Sequence, residues 1–199
     1  MILTDPPYGV AYMDNKIQGD ELQSEEKYRD FSKRWISAAV KHLEDYNTIF
    51  IFNADTMICA LRKGMKDAGV YYSQLIIWIK NTVVMGRRDY LAQHELIAYG
   101  WYGKHKRERG QSHSVLFYPK PAKSKLHPTM KPVGLLRKLI LNSTKTGEIV
   151  YDPFGGSGST LIAAEELKRK CAMIEISPEY IQTIITRWER LTGGKVIKL

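Results

Sequence analysis

The chain has 199 residues, 44% of them hydrophobic, and a formal net charge of +9; that is enough apolar material for one domain with a substantial core, and it excludes a disordered chain. No apolar run reaches membrane-spanning length and the N-terminus lacks the pattern of a signal peptide, so the expected location is intracellular and cytoplasmic. Cys59 and Cys171 stand in separate apolar runs with no Cys or His at metal-ligand spacing, so they read as buried small hydrophobes, free thiols, and no metal site is expected.

In chain order, a strand at Ile2 to Thr4 is followed by a long polar loop from Gly9 to about Ser24. A helix is expected near Glu25 to Leu43, with Tyr28, Phe31, Trp35, Ala38, Ala39 and Val40 on the face that packs on a sheet. Next come a strand at Thr48 to Phe52, a helix capped by Asp55 and ending near Gly69, and strands at Val70 to Lys80 and Leu96 to Tyr99. A helix from Pro132 to about Thr144, a strand at Glu148 to Asp152, a helix at Leu161 to Leu167, a strand at Cys171 to Glu175 and a helix at Pro178 to Leu191 complete an α/β alternation without internal repeats.

Two loops carry chemistry. Asp5-Pro6-Pro7-Tyr8 puts an acidic acceptor, two stiff prolines and an aromatic ring at a strand exit. The exocyclic amine of a nucleobase must have its lone pair localised before it can attack an electrophile. Asp5 can accept one amine N–H and the Pro6 carbonyl the other, while Pro7 holds the loop. Tyr8 offers a stacking face worth about 1–3 kcal/mol per base, which offsets part of the cost of taking a base out of a duplex. A proline pair between Asp and Tyr also reads as a plain rigid turn, so a second motif has to decide.

That second motif is the apolar run Ile149-Val150-Tyr151-Asp152 followed by Pro153-Phe154-Gly155-Gly156-Ser157-Gly158-Ser159-Thr160 and a helical stretch. Glycines in the first turn after a strand let backbone approach a ligand, and the next helix presents unpaired N–H groups, an arrangement that suits an adenosine-containing cofactor. Glu175, twenty residues past Gly155, ends the next apolar run, where a ribose-binding carboxylate is expected. A triphosphate loop is disfavoured because no Lys follows the glycines.

With these blocks the chain resembles the β-class amino DNA methyltransferases that use S-adenosylmethionine, adenine-specific and of prophage type. Three blocks match in family order: Asp5 to Tyr8, His127-Pro128-Thr129-Met130-Lys131-Pro132, and Asp152 to Gly158; Trp78-Ile79-Lys80-Asn81 and His94-Glu95-Leu96-Ile97 are also similar. The resemblance covers nearly the whole chain. It implies a Rossmann-like methyltransferase fold in circular order, residues 1–80 being the catalytic half, about 81–126 a short target-recognition region and 127–199 the cofactor half. In that fold the Asp5 and Asp152 strands are parallel neighbours and both loops open into one crevice. It further implies that Asp5, Pro6, Pro7 and Tyr8 handle the flipped base, and that Asp152, Phe154, Gly155, Gly156, Gly158 and Glu175 line the cofactor pocket with Thr129 and Lys131 at its methionine end. An aspartate at position 5 favours adenine N6 over cytosine N4 and DNA over RNA. The proton lost after transfer goes to Asp5 or to water, and no metal is required.

From Lys80 to Lys131 eleven cations face three acids, a net +8, interleaved with Tyr90, Trp101, Tyr102, Phe117 and Tyr118. Beside a base-flipping motif, Lys80, Arg87, Arg88, Lys104, Lys106, Arg107 and Arg109 are expected to contact the phosphates of double-stranded DNA. Residues Met13 to Ser24 are expected to form a lid over the flipped base. Family members usually carry more chain before the catalytic motif, a segment that supplies a sheet edge, so weakened cofactor binding, or compensation by a homodimer, is expected here. N4-cytosine or RNA-adenine methylation, and an impaired remnant that binds cofactor and DNA without turnover, stay open as alternatives. A restriction endonuclease partner is not inferable from the sequence.

Overall fold

The computed structural model of the protein describes residues 1–11, 20–21, 23–84, 89–120 and 130–198. Strands β1 (Ile2–Thr4), β3 (Ile49–Asn53), β4 (Tyr71–Val84), β5 (Ala92–Trp101), β7 (Val115–Phe117), β8 (Ile149–Asp152) and β9 (Lys170–Met173) form one sheet in the order β7-β4-β5-β3-β1-β8-β9. Strands β2 (Tyr46–Asn47) and β6 (Lys104–His105) make a separate parallel ladder. β5 runs antiparallel to both β3 and β4, and the remaining pairs of the large sheet are parallel. The C-terminal ends of every strand of that sheet but β5 therefore emerge at one edge, where open α/β sheets bind ligands.

The two-residue period of a strand sorts its side chains into two cores. In β3, Ile49 and Ile51 join Ile36 of α1 (Glu25–Ala39) and Leu61 and Met65 of α2 (Ile58–Asp67). Phe50 and Phe52 point the other way, into a cluster with Trp78, with Leu135 and Leu139 of α3 (Val133–Ser143) and with Ala163 of α4 (Ser159–Glu166). Every residue of β3 is buried, which is why Ile49 to Phe52 is an unbroken apolar run. α5 (Pro178–Thr192) lies against α4 and buries none of its residues fully.

Several boundaries and faces differ from expectation for local physical reasons. α1 begins as expected, its Ser24 hydroxyl accepting from the Lys27 N–H with Glu25 and Glu26 in the first turn. Its buried face is Tyr28, Ser32, Ile36 and Ala39; Ala38 is exposed, and Phe31 and Trp35, half-buried against the core on that side of the sheet, also reach Phe154, with ring centroids 6.1 and 5.3 Å away. Asp55 does not cap α2, because a 3₁₀ turn at Asp55–Met57 intervenes and puts Met57 at the cap position. Cys59 is exposed and Cys171 half-buried, so neither is the fully buried hydrophobe expected of it. β9 stops at Met173, which leaves Glu175 in a loop. The stretch 81–126 contributes β5 and β7 to the sheet itself, β5 pairing with β3 over Leu96 to Gly100 and with β4 between Ala92 and Trp101.

α1 and α2 meet where Gly64 leaves room for a backbone. A Cβ at Gly64 would stand 2.7 Å from the Ser32 Cβ and 2.9 Å from the Arg29 carbonyl oxygen. The carbonyl cannot rotate away, so the helices would have to separate. Gly64→Ala is expected to lower the unfolding free energy by about 1–3 kcal/mol despite alanine's better helix propensity; urea denaturation reads this, and a stability gain would show that the helices slide apart freely.

Candidate active site

β1 and β8 are parallel neighbours, with Ile2 opposite Tyr151, so the loops that leave them run side by side. The Thr4 hydroxyl donates to Asp152 Oδ1 at 2.6 Å, and the Phe154 N–H donates to the same oxygen at 3.1 Å. Around these loops lies a cleft of about 640 Å³ lined by Asp5 to Tyr8, by Lys80, Glu95 and Lys131, and by Asp152 to Ser157 with Glu175. This is within the roughly 300–1,000 Å³ of small-molecule sites.

The glycine loop is shaped by close approach and by backbone sign. A Cβ on Gly155 would lie 2.6 Å from the Met173 sulfur, so with any larger residue the Met173 side chain would have to move for the loop to sit on β9. Gly156, with φ +53°, turns its N–H onto Glu175 Oε2 at 2.6 Å, while the Ser177 N–H holds Oε1 at 2.8 Å. The Glu175 carboxylate is thus fixed on the cleft wall by two backbone donors. Phe154 rests edge-on against Trp35. Gly158 does not line the cleft; it has φ +78°, caps α4, and would press a Cβ to 3.0 Å from Ile184 of α5. The Arg187 guanidinium donates to the Ser157 carbonyl and ties α5 to the same loop.

On the opposite wall Asp5 stands in a charge cluster. Tyr8 OH donates to Asp5 Oδ1 at 2.6 Å, and Lys131 Nζ donates to Asp5 Oδ2 at 2.5 Å. Lys131 Nζ is also 3.2 Å from Glu95 Oε2, and Lys80 Nζ is 3.1 Å from Glu95 Oε1. Burial raises the Asp5 carboxyl above its ordinary value, against the pull of Lys131. Burial would also raise Glu95, but Lys131 and Lys80 together outweigh it and hold that carboxyl at about 2. Burial, Asp5 and Glu95 push the Tyr8 phenol well above its usual value, so it stays a donor.

The sequence-derived residues divide accordingly. Asp5, Pro6, Pro7, Tyr8, Asp152, Phe154, Gly155, Gly156 and Glu175 share the cleft. Lys131 is there too, bonded to Asp5 and not to the glycine loop. Thr129, Arg87, Arg88 and the loop interior 12–19 lie outside the described residues. The base of that loop is pinched shut: the Gly9 N–H donates to the buried Asp20 carboxylate at 2.6 Å and the Ala11 N–H to the Asp20 carbonyl at 2.7 Å.

The expected phosphate contacts need correction. Lys80 is 4% exposed and ion-paired, so it presents no charge to a phosphate. Lys104, Lys106, Arg107 and Arg109 come after the end of β5, the antiparallel strand, and so cluster at the far edge of the sheet, about one β3 length or roughly 17 Å from the cleft mouth. There Lys106 pairs with Glu148 at 2.6 Å, Lys104 stands 5.2 Å from the Tyr46 ring centroid, and Trp101 stacks on His105 with centroids 4.3 Å apart. At the cleft itself is Lys120, with exposed Tyr90 and Phe117 on the same side of the sheet. Glu95 and Asp20 received no role from the sequence; the similarity of His94-Glu95-Leu96-Ile97 was the only signal for the former.

Comparison with known proteins bears on the family and the fold. The sequence profile of the DNA methylase family matches residues 1–186. The chain is 29% identical over 221 aligned positions to the type II methyltransferase M.HpaI of Haemophilus parainfluenzae, covering 98% of this chain and 69% of that protein. It is 27% identical to the type II methyltransferase M2.MboI of Moraxella bovis, covering 96% and 81%. Among solved structures it is similar to the M1.HpyAVI–SAM complex, at 28% identity and TM-score 0.72, over 94% of this chain and 87% of that one. The cytosine-N4-specific PvuII DNA methyltransferase shares the fold at TM-score 0.78 and 16% identity, over 96% and 82%.

Asp152 makes this site legible in a titration. Burial pushes its carboxyl up to about 7, against hydrogen bonds from Thr160, Thr4 and the Phe154 N–H, with the Asp5 charge adding to the rise. An unfolded Asp ionises near 3.8, so ionisation favours the unfolded chain. Stability from this group is complete below that value, falls as pH rises from about 3.8 through about 7, and is level above. Asp152→Asn keeps the shape without the charge. Its stability relative to the natural protein is expected to grow across that window, by up to on the order of 4 kcal/mol; thermal melts of the two ligand-free proteins that run parallel in pH would remove the buried-acid account.

Proposed function

The chain belongs to the DNA methylase family, and we propose on that premise that it transfers a methyl group from S-adenosylmethionine to the exocyclic N6 amine of an adenine flipped out of double-stranded DNA. The observation that carries this reading is that the Asp5 and Asp152 loops leave adjacent parallel strands and line one cleft. An acceptor for an amine and a seat for a nucleoside thereby face each other.

The donor set fits the cofactor. Glu175, held by two backbone N–H groups, suits the ribose hydroxyls, and the Gly155–Gly156 turn lets the main chain approach the nucleoside. Ile176, 72% exposed on the cleft wall, offers apolar surface for the purine. When bound, S-adenosylmethionine supplies a methyl group on a positively charged sulfur. The chain's own work is positioning and water exclusion. Asp5 accepts one N–H of the target amine, the Pro6 carbonyl accepts the other, and Tyr8 stacks on the ring. Adenine is favoured because Asp5 occupies the position where the resemblance places an aspartate in adenine-modifying members.

DNA meets the protein at the cleft edge. Leu91, just before β5, and Lys120, after β7, both line the opening. The segments adjoining these two residues belong to 81–126, the stretch that the resemblance gives to target recognition, and Arg87 and Arg88 are near Leu91 in the chain.

Labelled S-adenosylmethionine incubated with mixed-sequence duplex, followed by digestion to nucleosides, should yield N6-methyladenine. Asp5→Ala should reduce that yield on the order of a hundredfold or more; an unimpaired variant would sink the role given to Asp5. In salt titrations of duplex binding, Lys120→Ala should shallow the slope of log affinity against log salt by about one phosphate contact, roughly 0.9. Lys104→Ala at the far edge should leave both slope and turnover unchanged, and the reverse pattern would relocate the DNA.

A further inference from the structure

Asp5 is not free to receive an amine. Its Oδ1 accepts the Tyr8 hydroxyl at 2.6 Å and its Oδ2 the Lys131 ammonium at 2.5 Å. A carboxylate keeps spare lone pairs, but an ammonium at that distance neutralises the charge that makes it a strong acceptor. The reaction adds a second objection. As the amine nitrogen forms its bond to the methyl group it becomes positive, and a lysine beside it opposes that change.

Lys131 cannot simply be released, because it is 7% exposed and a buried ammonium without a partner is strongly unfavourable. A second carboxylate is already within reach: Glu95 Oε2 lies 3.2 Å from Lys131 Nζ and 3.3 Å from the Tyr8 hydroxyl. Both donors that close Asp5 thus share one alternative acceptor. Glu95 is itself anchored by Lys80 on its other oxygen. Among these four charged groups the two lysines and two carboxylates balance, so Lys131 can change partner without any charge leaving the cluster.

We propose that Lys131 is a movable counter-ion: it rests on Asp5 in the free protein and passes to Glu95 when the target amine enters. Glu95 is then a positioning residue, the receiver whose presence lets Asp5 become an open, negatively charged acceptor. The movement needed is a few tenths of an ångström to bring Lys131 to ordinary charge-assisted distance from Glu95. This handover rests on the role proposed above for Asp5.

The test removes the receiver and then the donor that needs it. Glu95→Gln alone would strand the buried Lys80, so it is combined with Lys80→Met. In this double variant Lys131 has Asp5 as its remaining carboxylate, and kcat for duplex methylation should fall roughly tenfold to a hundredfold, with S-adenosylmethionine affinity by calorimetry unchanged. Adding Lys131→Gln removes the charge that blocks Asp5 and should recover most of the lost kcat. Glu95→Asp serves as a gentler variant: it keeps all charges, withdraws the receiver by one methylene, and should lower kcat about tenfold at unchanged cofactor affinity. Full turnover in Glu95→Asp, or a triple variant as slow as the double, overturns the handover while natural protein that methylates adenine and an inactive Asp5→Ala leave the parent reading standing. Natural protein without methyl transfer overturns both.

Discussion

The hydrogen bond from the Thr4 hydroxyl to Asp152 joins residues 148 positions apart and is the point on which the site turns. Neither loop fixes its own position relative to the other. The first is set by two prolines and the second by glycines, and glycines leave the backbone too many choices. Their relative position is fixed by the parallel pairing of β1 with β8 and by this bond at its exit. Because Asp152 also accepts the Phe154 N–H, the acceptor loop and the nucleoside loop share one carboxylate. Phe154 then carries the register outward to Trp35 of α1. A helix that would otherwise only cover the sheet becomes part of the wall behind the cofactor loop.

The alternation of strands and helices and the two loops are legible in the sequence because each rests on local chemistry: apolar runs, prolines at an exit, glycines before a helix; the pairing of the two strands, 148 residues apart, is legible only through the family resemblance. Phe31 and Trp35 are legible only in part, because a helical period locates a face but not every neighbour, and besides the core they meet a loop more than a hundred residues later. Lys104 to Arg109 defeat the reading for a different reason. Cations close in sequence to a motif need not be close to it in space, and β5 reverses direction, so the residues after it emerge at the other edge of the sheet. Glu95, by contrast, looks like an ordinary charged residue on a strand. Its importance comes from the register that sets Glu95 opposite Trp78, beside Lys80, and from Lys131 arriving 36 residues later just before α3.

The electrostatics of the cleft run against those of the whole molecule. The chain carries +9, yet among the described residues six carboxylates line the cleft, Asp5, Asp20, Asp55, Glu95, Asp152 and Glu175, against three lysines. Two of those lysines are buried and committed to Glu95 and Asp5. An interior of this sign attracts a cationic methyl donor and repels phosphate, whereas the positive exterior attracts the duplex. On the function proposed above, the two tendencies would sort the parts of one substrate, holding the backbone outside while a neutral base passes in. The same logic explains why Asp152 is raised to about 7 while Glu95 is held at about 2. Asp152 is held by neutral donors, Thr4, Thr160 and the Phe154 N–H, so burial prevails. Glu95 stands between two ammonium groups, so burial loses. One carboxyl keeps loop geometry and the other keeps charge, and only the second can accept a lysine in exchange.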